Sequence, residues 1–446
     1  MSPLITGRPS RTRGLARLLA LVFVVTFLTG GGSQDRGVGD AIAQLLALPL
    51  LAWSIWTLRC QPLSGLRRLA IAIAVLIAVI PVLQLLPLPT LLWRSNAARL
   101  ALEHDLSLAG VGLASTWSLV PAATERAALA LLPALSVFFA ALAIAPHERT
   151  RMMWLFLGMA VFSLLLGLVQ LGQPQDSLLN PFPQWAPAFG GVFANPNHQA
   201  TALACAAICA LALLLAGNRS EADRDSRQLA GRWLLGACFA MCTLALPLTG
   251  SRAGVLFGIL GLAMVPVAMG TFRPARLRAS ASARWGLALM LCGAVFGVWV
   301  SLQWLRVDAV AGLRWPLAKA TVALGNAYAP WGAGVGAFVP LFAQEGPTWL
   351  LQYEYINHAH NEYAQWWLEA GIPAMLALAG VLAVLGLVLR KILHYGSHGR
   401  SRAIAAGSWL GIIVLLAHSI VDYPMRTAAL MTVAALLAAN AISPSR

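Results

Sequence analysis

His360, Arg252 and Arg314 are the residues whose type and setting best suit a reaction. His360 stands in Asn357-His358-Ala359-His360-Asn361-Glu362-Tyr363, where two imidazoles, two amides and a carboxylate crowd together at the mouth of a long apolar run. An imidazole titrates near neutrality and can take a proton from a hydroxyl. If the stretch is extended, His358 and His360 face one side; if it is helical, they diverge. Arg252 lies in Leu248-Thr249-Gly250-Ser251-Arg252-Ala253-Gly254, between two apolar runs and without an acidic neighbour in sequence. Arg314 precedes Trp315, with Lys319 a little further on. Guanidinium groups present a planar fork of donors that suits phosphate oxygens. The histidines thus suit a base or a ligand role, and the arginines suit a phosphate-bearing partner.

Other polar groups allow two readings. The glycines of Pro330-Trp331-Gly332-Ala333-Gly334-Val335-Gly336-Ala337-Phe338 would let backbone N–H groups approach an anion, or would simply make a turn. Asn195-Pro196-Asn197-His198 reads as a helix cap whose outward N-terminus also favours anions. Glu103-His104-Asp105 has a spacing used for metal ligands but equally suits a solvated loop. Asp422 and Arg426 are spaced for a local, structural ion pair. The cysteine pairs Cys205/Cys209 and Cys238/Cys242 have no His or carboxylate beside them and read as small helix-packing residues.

The elements that must position these groups are membrane helices. Of 446 residues, 59% are hydrophobic and only 11% charged, and the mean hydropathy is +0.74. A soluble domain carries about 25% charged residues, so a large soluble enzyme and a nucleic-acid-binding tail protein are both excluded. The expectation is an all-α polytopic membrane protein whose partner along its length is the lipid bilayer. Twelve spans are read at about 15–30, 41–58, 69–89, 127–146, 152–172, 198–217, 232–249, 253–270, 285–303, 371–390, 403–420 and 427–442. The first follows Arg8, Arg11, Arg13 and Arg17 and is read as an uncleaved helix.

The formal charge of +15 is distributed by topology. Arg59, Arg67, Arg68, Arg149, Arg151, Arg219, Arg224, Arg227, Arg232, Arg273, Arg276, Arg278, Arg284, Arg390, Lys391, Arg400 and Arg402 fall in alternate connections with the N-terminal arginines and Arg446. Together they make 22 of the 31 Lys and Arg. On the inner side the acids are Glu148, Glu221, Asp223 and Asp225. The positive-inside rule puts that set, and both termini, in the cytoplasm. Three substantial loops, 90–126, 173–197 and 304–370, then face outward from a single integral membrane domain spanning 1–446, and the last, richest in candidate groups, is expected to be the main catalytic loop. Outside the membrane there is no ATP, so a transferred group must arrive already activated. No nucleotide-binding glycine motif occurs, and no metal or cofactor is implied.

Taken together, the motifs resemble the O-antigen ligase and O-antigen polymerase superfamily of bacterial envelope glycosyltransferases. The matching pieces are Phe193-Ala194-Asn195-Pro196-Asn197-His198, Leu248 through Arg252, Arg314-Trp315, Pro330 through Phe338, His358 through Tyr363, and Val421 through Arg426. His360-Asn361 followed by Gly371 is similar to the ligase motif around its histidine, although Ala374 departs from it; Arg314 followed by Gly325 is similar to a polymerase pattern. The resemblance implies a GT-C-like fold with a large late periplasmic loop in the inner membrane. It implies a donor glycan on undecaprenyl diphosphate and an acceptor hydroxyl on lipid A–core or on another glycan. It implies His360 as general base in a metal-independent, inverting transfer, Arg252 and Arg314 on the donor diphosphate, and His358, Asn361, Lys319 and His198 in supporting positions. A polymerase, a protein O-oligosaccharyltransferase and, in a different class, a lipid-linked glycan flippase are the alternatives. Polar groups gathered at span ends rather than mid-span argue against the flippase.

Overall fold

The computed structural model describes residues 9–33, 37–112, 116–174, 176–182, 189–216, 226–270, 309–351, 356–394 and 399–443. The expected span 285–303 lies outside them, as do Arg8, Arg219, Glu221, Asp223, Arg224, Asp225, Arg273, Arg276, Arg278, Arg284, Arg306 and Arg446.

Among the described residues the regular elements are all helices. In chain order the helices are α1 (Pro9–Thr29), α2 (Val38–Arg59), α3 (Gly65–Gln84), α4 (Thr90–Arg94), α5 (Ala97–Leu108), α6 (Pro121–Ala143), α7 (Pro146–Gln170) and α8 (Pro196–Leu215). They continue with α9 (Ser226–Ala245), α10 (Arg252–Ala268), α11 (Ala309–Ala327), α12 (Phe338–Glu345), α13 (Thr348–Leu351), α14 (Glu362–His394), α15 (Arg400–His418) and α16 (Ala428–Ile442). Nine helices among the described residues are long and apolar enough to cross a bilayer, and the shorter α10 and α16 complete the set. Each of these eleven falls on an expected span, so the all-α polytopic reading holds. Helices are what a bilayer allows, because every backbone N–H and C=O is satisfied within the segment.

The centre of the bundle is α8, buried on every side from His198 to Ala210. Its neighbours are α15, α10 and α9. Close approach rests on small residues, as packing in lipid requires. A Cβ on Gly254 would lie 2.3 Å from that of Ala200, and one on Gly407 would lie 3.1 Å from the Cα of Cys209. Cys205 points its thiol at the Gly411 carbonyl (3.4 Å), so this cysteine pair packs helices. Leu15, Leu19, Phe23 and Phe27 of α1 are fully buried, which makes the first helix part of the core.

The helices alternate in direction, so the bundle has two unlike ends. At one end Arg67 at the start of α3 bonds Ser443 beyond α16, and Arg402 of α15 bonds the last turn of α10. This basic end carries Arg67, Arg149 and Arg402. At the other, polar end lie the starts of α8, α10, α14 and α16 and the close of α15. There α14 is broken at Gly371, which has φ 54 and ψ −135. Its first turns, Glu362–Ala370, therefore stand off the spanning part, which explains why the apolar run begins only at 371.

Candidate active site

The polar end is organised around Asp422, in the turn between α15 and α16. Its side chain is fully buried. Its Oδ1 faces Nδ1 of His360 at 3.7 Å and Nε2 of His198 at 3.8 Å. Its Oδ2 accepts from the Asn197 amide, and Oδ1 also accepts from the Tyr423 N–H at 2.8 Å. Burial alone would raise this carboxyl, but His198, His360, Arg314 and His418 outweigh it and hold Asp422 well below the usual carboxylate range. The site thus keeps an ionised carboxylate behind an imidazole.

His360 is held in an unusual backbone. Its φ of 48 makes it the one non-glycine residue with positive φ among those described. Left-handed backbone costs a residue with a Cβ about 1–3 kcal/mol, and such strain gathers at functional sites. The conformation turns the ring so that its buried nitrogen, Nδ1, faces Asp422, while a quarter of the side chain reaches the surface. Burial, then the Arg314 charge, lowers the pKa of this imidazole, and Asp422 opposes them.

Tyr423 gathers the three histidines. Its ring centroid lies 4.4 Å from that of His358, 4.9 Å from His360 and 5.1 Å from His198. Its hydroxyl accepts from the Asn357 amide at 3.3 Å, and burial pushes its pKa up to about 12. The stretch from Asn357 to His360 is non-helical, and both imidazoles meet one ring, as an extended reading requires. Asn361 then caps α14, accepting from the Ala364 N–H at 2.9 Å and donating to the Ile420 carbonyl at 2.9 Å. It ties the histidine segment to the Asp422 turn.

A second buried layer supports that turn. Gln365 donates to Glu369 Oε1 at 2.9 Å and stands 3.3 Å from His358 Nδ1. Glu369 Oε2 pairs with Arg426 at 2.8 Å. The expected local pair of Asp422 with Arg426 is therefore not the one that forms. Arg426 reaches across to α14, and Asp422 is left to the histidines.

Arg314 lies on α11, which packs along α14. Its Nη1 bonds the Val421 carbonyl at 3.0 Å, and its Nε is buried with no partner among the described residues. It thus brings an unspent donor to the residue before Asp422. Arg252 begins α10 and is half-buried, behind a Ser251 cap that accepts from the Gly254 N–H at 3.0 Å. The contact of Gly254 with Ala200, and of Phe257 with His418 at 6.0 Å, sets this helix start at the same end of α8 as His198. Lys319 is different. It is exposed and its ammonium lies 5.5 Å from the Trp315 ring centroid, away from the Asp422 cluster.

Two further expectations change. The glycine stretch is not an open anion cradle. Ala333 and Gly334 donate to the Leu368 and Glu369 carbonyls at 2.8 Å each, and Val335 donates to Gln84 at 2.8 Å. A Cβ on Gly334 would lie 2.2 Å from Ser118 Oγ, and one on Gly371 2.2 Å from the Pro330 carbonyl oxygen. These glycines let the late loop pack against the 84–120 segment and α14. Buried Arg99 completes that seam, bonding the Trp117 and Gly332 carbonyls at 2.7 and 2.8 Å. Glu103 and Asp105 sit on the helix α5, where two-residue spacing turns them apart, and Glu103 is engaged by Arg94 at 2.7 Å.

The fold and the site define an all-α polytopic membrane protein with a buried carboxylate–histidine cluster at one end of its bundle. Residues 237–379 match the family model described as O-antigen ligase, so the superfamily resemblance read from the motifs holds over the segment that carries Arg252, Arg314, His358 and His360. No curated protein matches the chain. Asp422, Tyr423 and His198, the partners of His360, fall outside the matched segment.

Proposed function

We propose that this protein is a glycosyltransferase that moves a glycan from undecaprenyl diphosphate to a sugar hydroxyl at the periplasmic face of the inner membrane, as an O-antigen ligase. The observation that carries the reading is the strained His360, aimed by its buried Nδ1 at the ionised Asp422. The carboxylate favours the tautomer with the proton on Nδ1, which leaves Nε2 as the base. Nε2 takes the acceptor hydroxyl proton, and the hydroxyl oxygen attacks the anomeric carbon. The bond from that carbon to the diphosphate oxygen breaks on the opposite side, giving inversion. The departing undecaprenyl diphosphate takes the electron pair, and its charge is met by Arg314 and by Arg252 at the head of α10. A positioned base supplies about 10²–10⁴-fold.

The test uses purified full-length protein with a synthetic undecaprenyl-diphosphate glycan and lipid A–core acceptor. Transfer should proceed in EDTA and be lost in His360→Ala. Wild-type rates in that variant would remove the base assignment. Accumulation of complete glycan on the lipid carrier in a deletion strain is the outcome expected of a ligase; single repeat units there would instead mark a polymerase.

A further inference from the structure

Among the described residues, the basic end holds two arginines whose charges meet no counterion. Arg67 stands in the first turn of α3, and Arg149 near the start of α7. Arg149 is only 5% exposed, and the Arg67 guanidinium is close enough to repel it. Among the described residues neither meets a carboxylate. Arg67 spends its Nε on the Ser443 hydroxyl at 2.8 Å. Glu148, the acid next to Arg149, is taken by Arg151 at 2.7 Å and His147 at 3.1 Å. One helical turn before Ser443 lies Asn440, 1% exposed, with neither amide atom bonded among the described residues.

This arrangement is costly as it stands. Two like charges act on each other, one of them buried and the other half-buried, and the N-terminal ends of helices disfavour added positive charge. Intramembrane charges normally find a partner. An anion between the two guanidinium groups would turn repulsion into two charge-assisted contacts and would align with the helix dipoles. The position, at the end of apolar helices, is where lipid headgroups lie.

We propose that Arg67, Arg149 and Ser443 form a phosphate site at the basic end that takes the headgroup phosphodiester of an anionic glycerophospholipid. The site is remote from His360 and does not depend on the transfer reaction. Full-length protein in a neutral detergent is titrated with phosphatidylglycerol, phosphatidylcholine or inorganic phosphate and read by native mass spectrometry. Phosphatidylglycerol should bind the wild type in preference to phosphatidylcholine, and the double variant Arg67→Gln/Arg149→Gln should weaken it about tenfold or more. Arg149→Lys, which keeps the charge and loses the fork, should fall between.

Thermal unfolding separates this from a structural role. In lipid-free micelles the double variant should melt no lower than the wild type, because the repulsion is gone. Phosphatidylglycerol should then raise the Tm of the wild type alone. Equal phosphatidylglycerol retention in both proteins overturns the site. So does a lower Tm of the double variant that lipid leaves unchanged. Inorganic phosphate that raises the Tm as far and displaces the lipid would overturn the lipid assignment in favour of a free anion.

Discussion

The Nδ1 atom of His360 lies 3.7 Å from Oδ1 of Asp422, and His360 adopts a φ of 48 in reaching that place. The separation is longer than a formed hydrogen bond, as is common before substrate tightens a site. The carboxylate can orient the ring and favour one tautomer without taking the proton itself. Asp422→Asn keeps the size of the side chain and removes its charge. Transfer by this variant should fall about 10²-fold or more, with KM for the donor little changed. A parallel rise in KM with kcat intact would assign Asp422 to donor binding.

The same neighbours set opposite pH responses. A general base acts in its neutral form, so activity falls as pH drops through the His360 pKa. Burial and Arg314 lower that pKa, and Asp422 raises it. The acid limb of the wild-type kcat/KM profile should therefore lie below the ordinary histidine value of about 6.5. Asp422→Asn should move the limb to lower pH, and Arg314→Gln should move it to higher pH, whatever each does to the plateau. Shifts in one common direction would mean that the limb reports another group.

How much of this was legible in the sequence follows from the range of each interaction. Span positions follow from apolar runs, which bilayer thickness makes a local property, and the structure bears them out at every described span. His360 and Arg252 could be singled out as candidates because each is a polar residue at a span end, and Arg314 because it stands in the long late loop. Asp422 was visible but misassigned, because Arg426 is near in sequence while its partner Glu369 lies on another helix. The grouping of His198, His360 and Tyr423 needs α8, α14 and α15 side by side, and no local pattern records that order. The late-loop glycines matched two readings until Ser118 and the Glu369 carbonyl appeared beside them.

Those glycines give a test of packing against anion binding. Gly334 has φ 113 and no room for a methyl group beside Ser118, whereas Gly386 in the spanning part of α14 has nothing within 4 Å of an added Cβ. Gly334→Ala should lower the Tm in detergent and reduce the amount of folded protein. Gly386→Ala should be neutral or mildly stabilising, since alanine favours helix by about 1 kcal/mol. A fully stable Gly334→Ala protein with a raised donor KM would return the loop to the anion-cradle reading.

Tyr423 separates ring from hydroxyl. Its ring faces His358, His360 and His198 at 4.4–5.1 Å, while the hydroxyl meets the Asn357 amide at 3.3 Å and the Asn195 side chain. Tyr423→Phe keeps the three ring contacts and should retain most activity, with a stability loss of about 1 kcal/mol. Tyr423→Ala opens a cavity among the histidines and should cost about 3–5 kcal/mol of stability.

The buried pair of Glu369 and Arg426 is the support on which the Asp422 turn rests. Their 2.8 Å contact ties α14 to the residues after Tyr423, and Gln365 extends it to His358. Removing one partner leaves an uncompensated buried charge, which costs about 3–5 kcal/mol, whereas replacing both with apolar residues of similar volume is often neutral or stabilising. Glu369→Met and Arg426→Met should each melt well below the wild type, and the double variant should recover most of the loss. Activity provides the second readout. The double variant regains the fold but lacks the polar chain from Arg426 through Glu369 and Gln365 to His358, so its transfer rate should stay below that of the wild type at equal Tm. Full recovery of both would mean that the pair holds the turn in place but contributes nothing to the aim of the histidines.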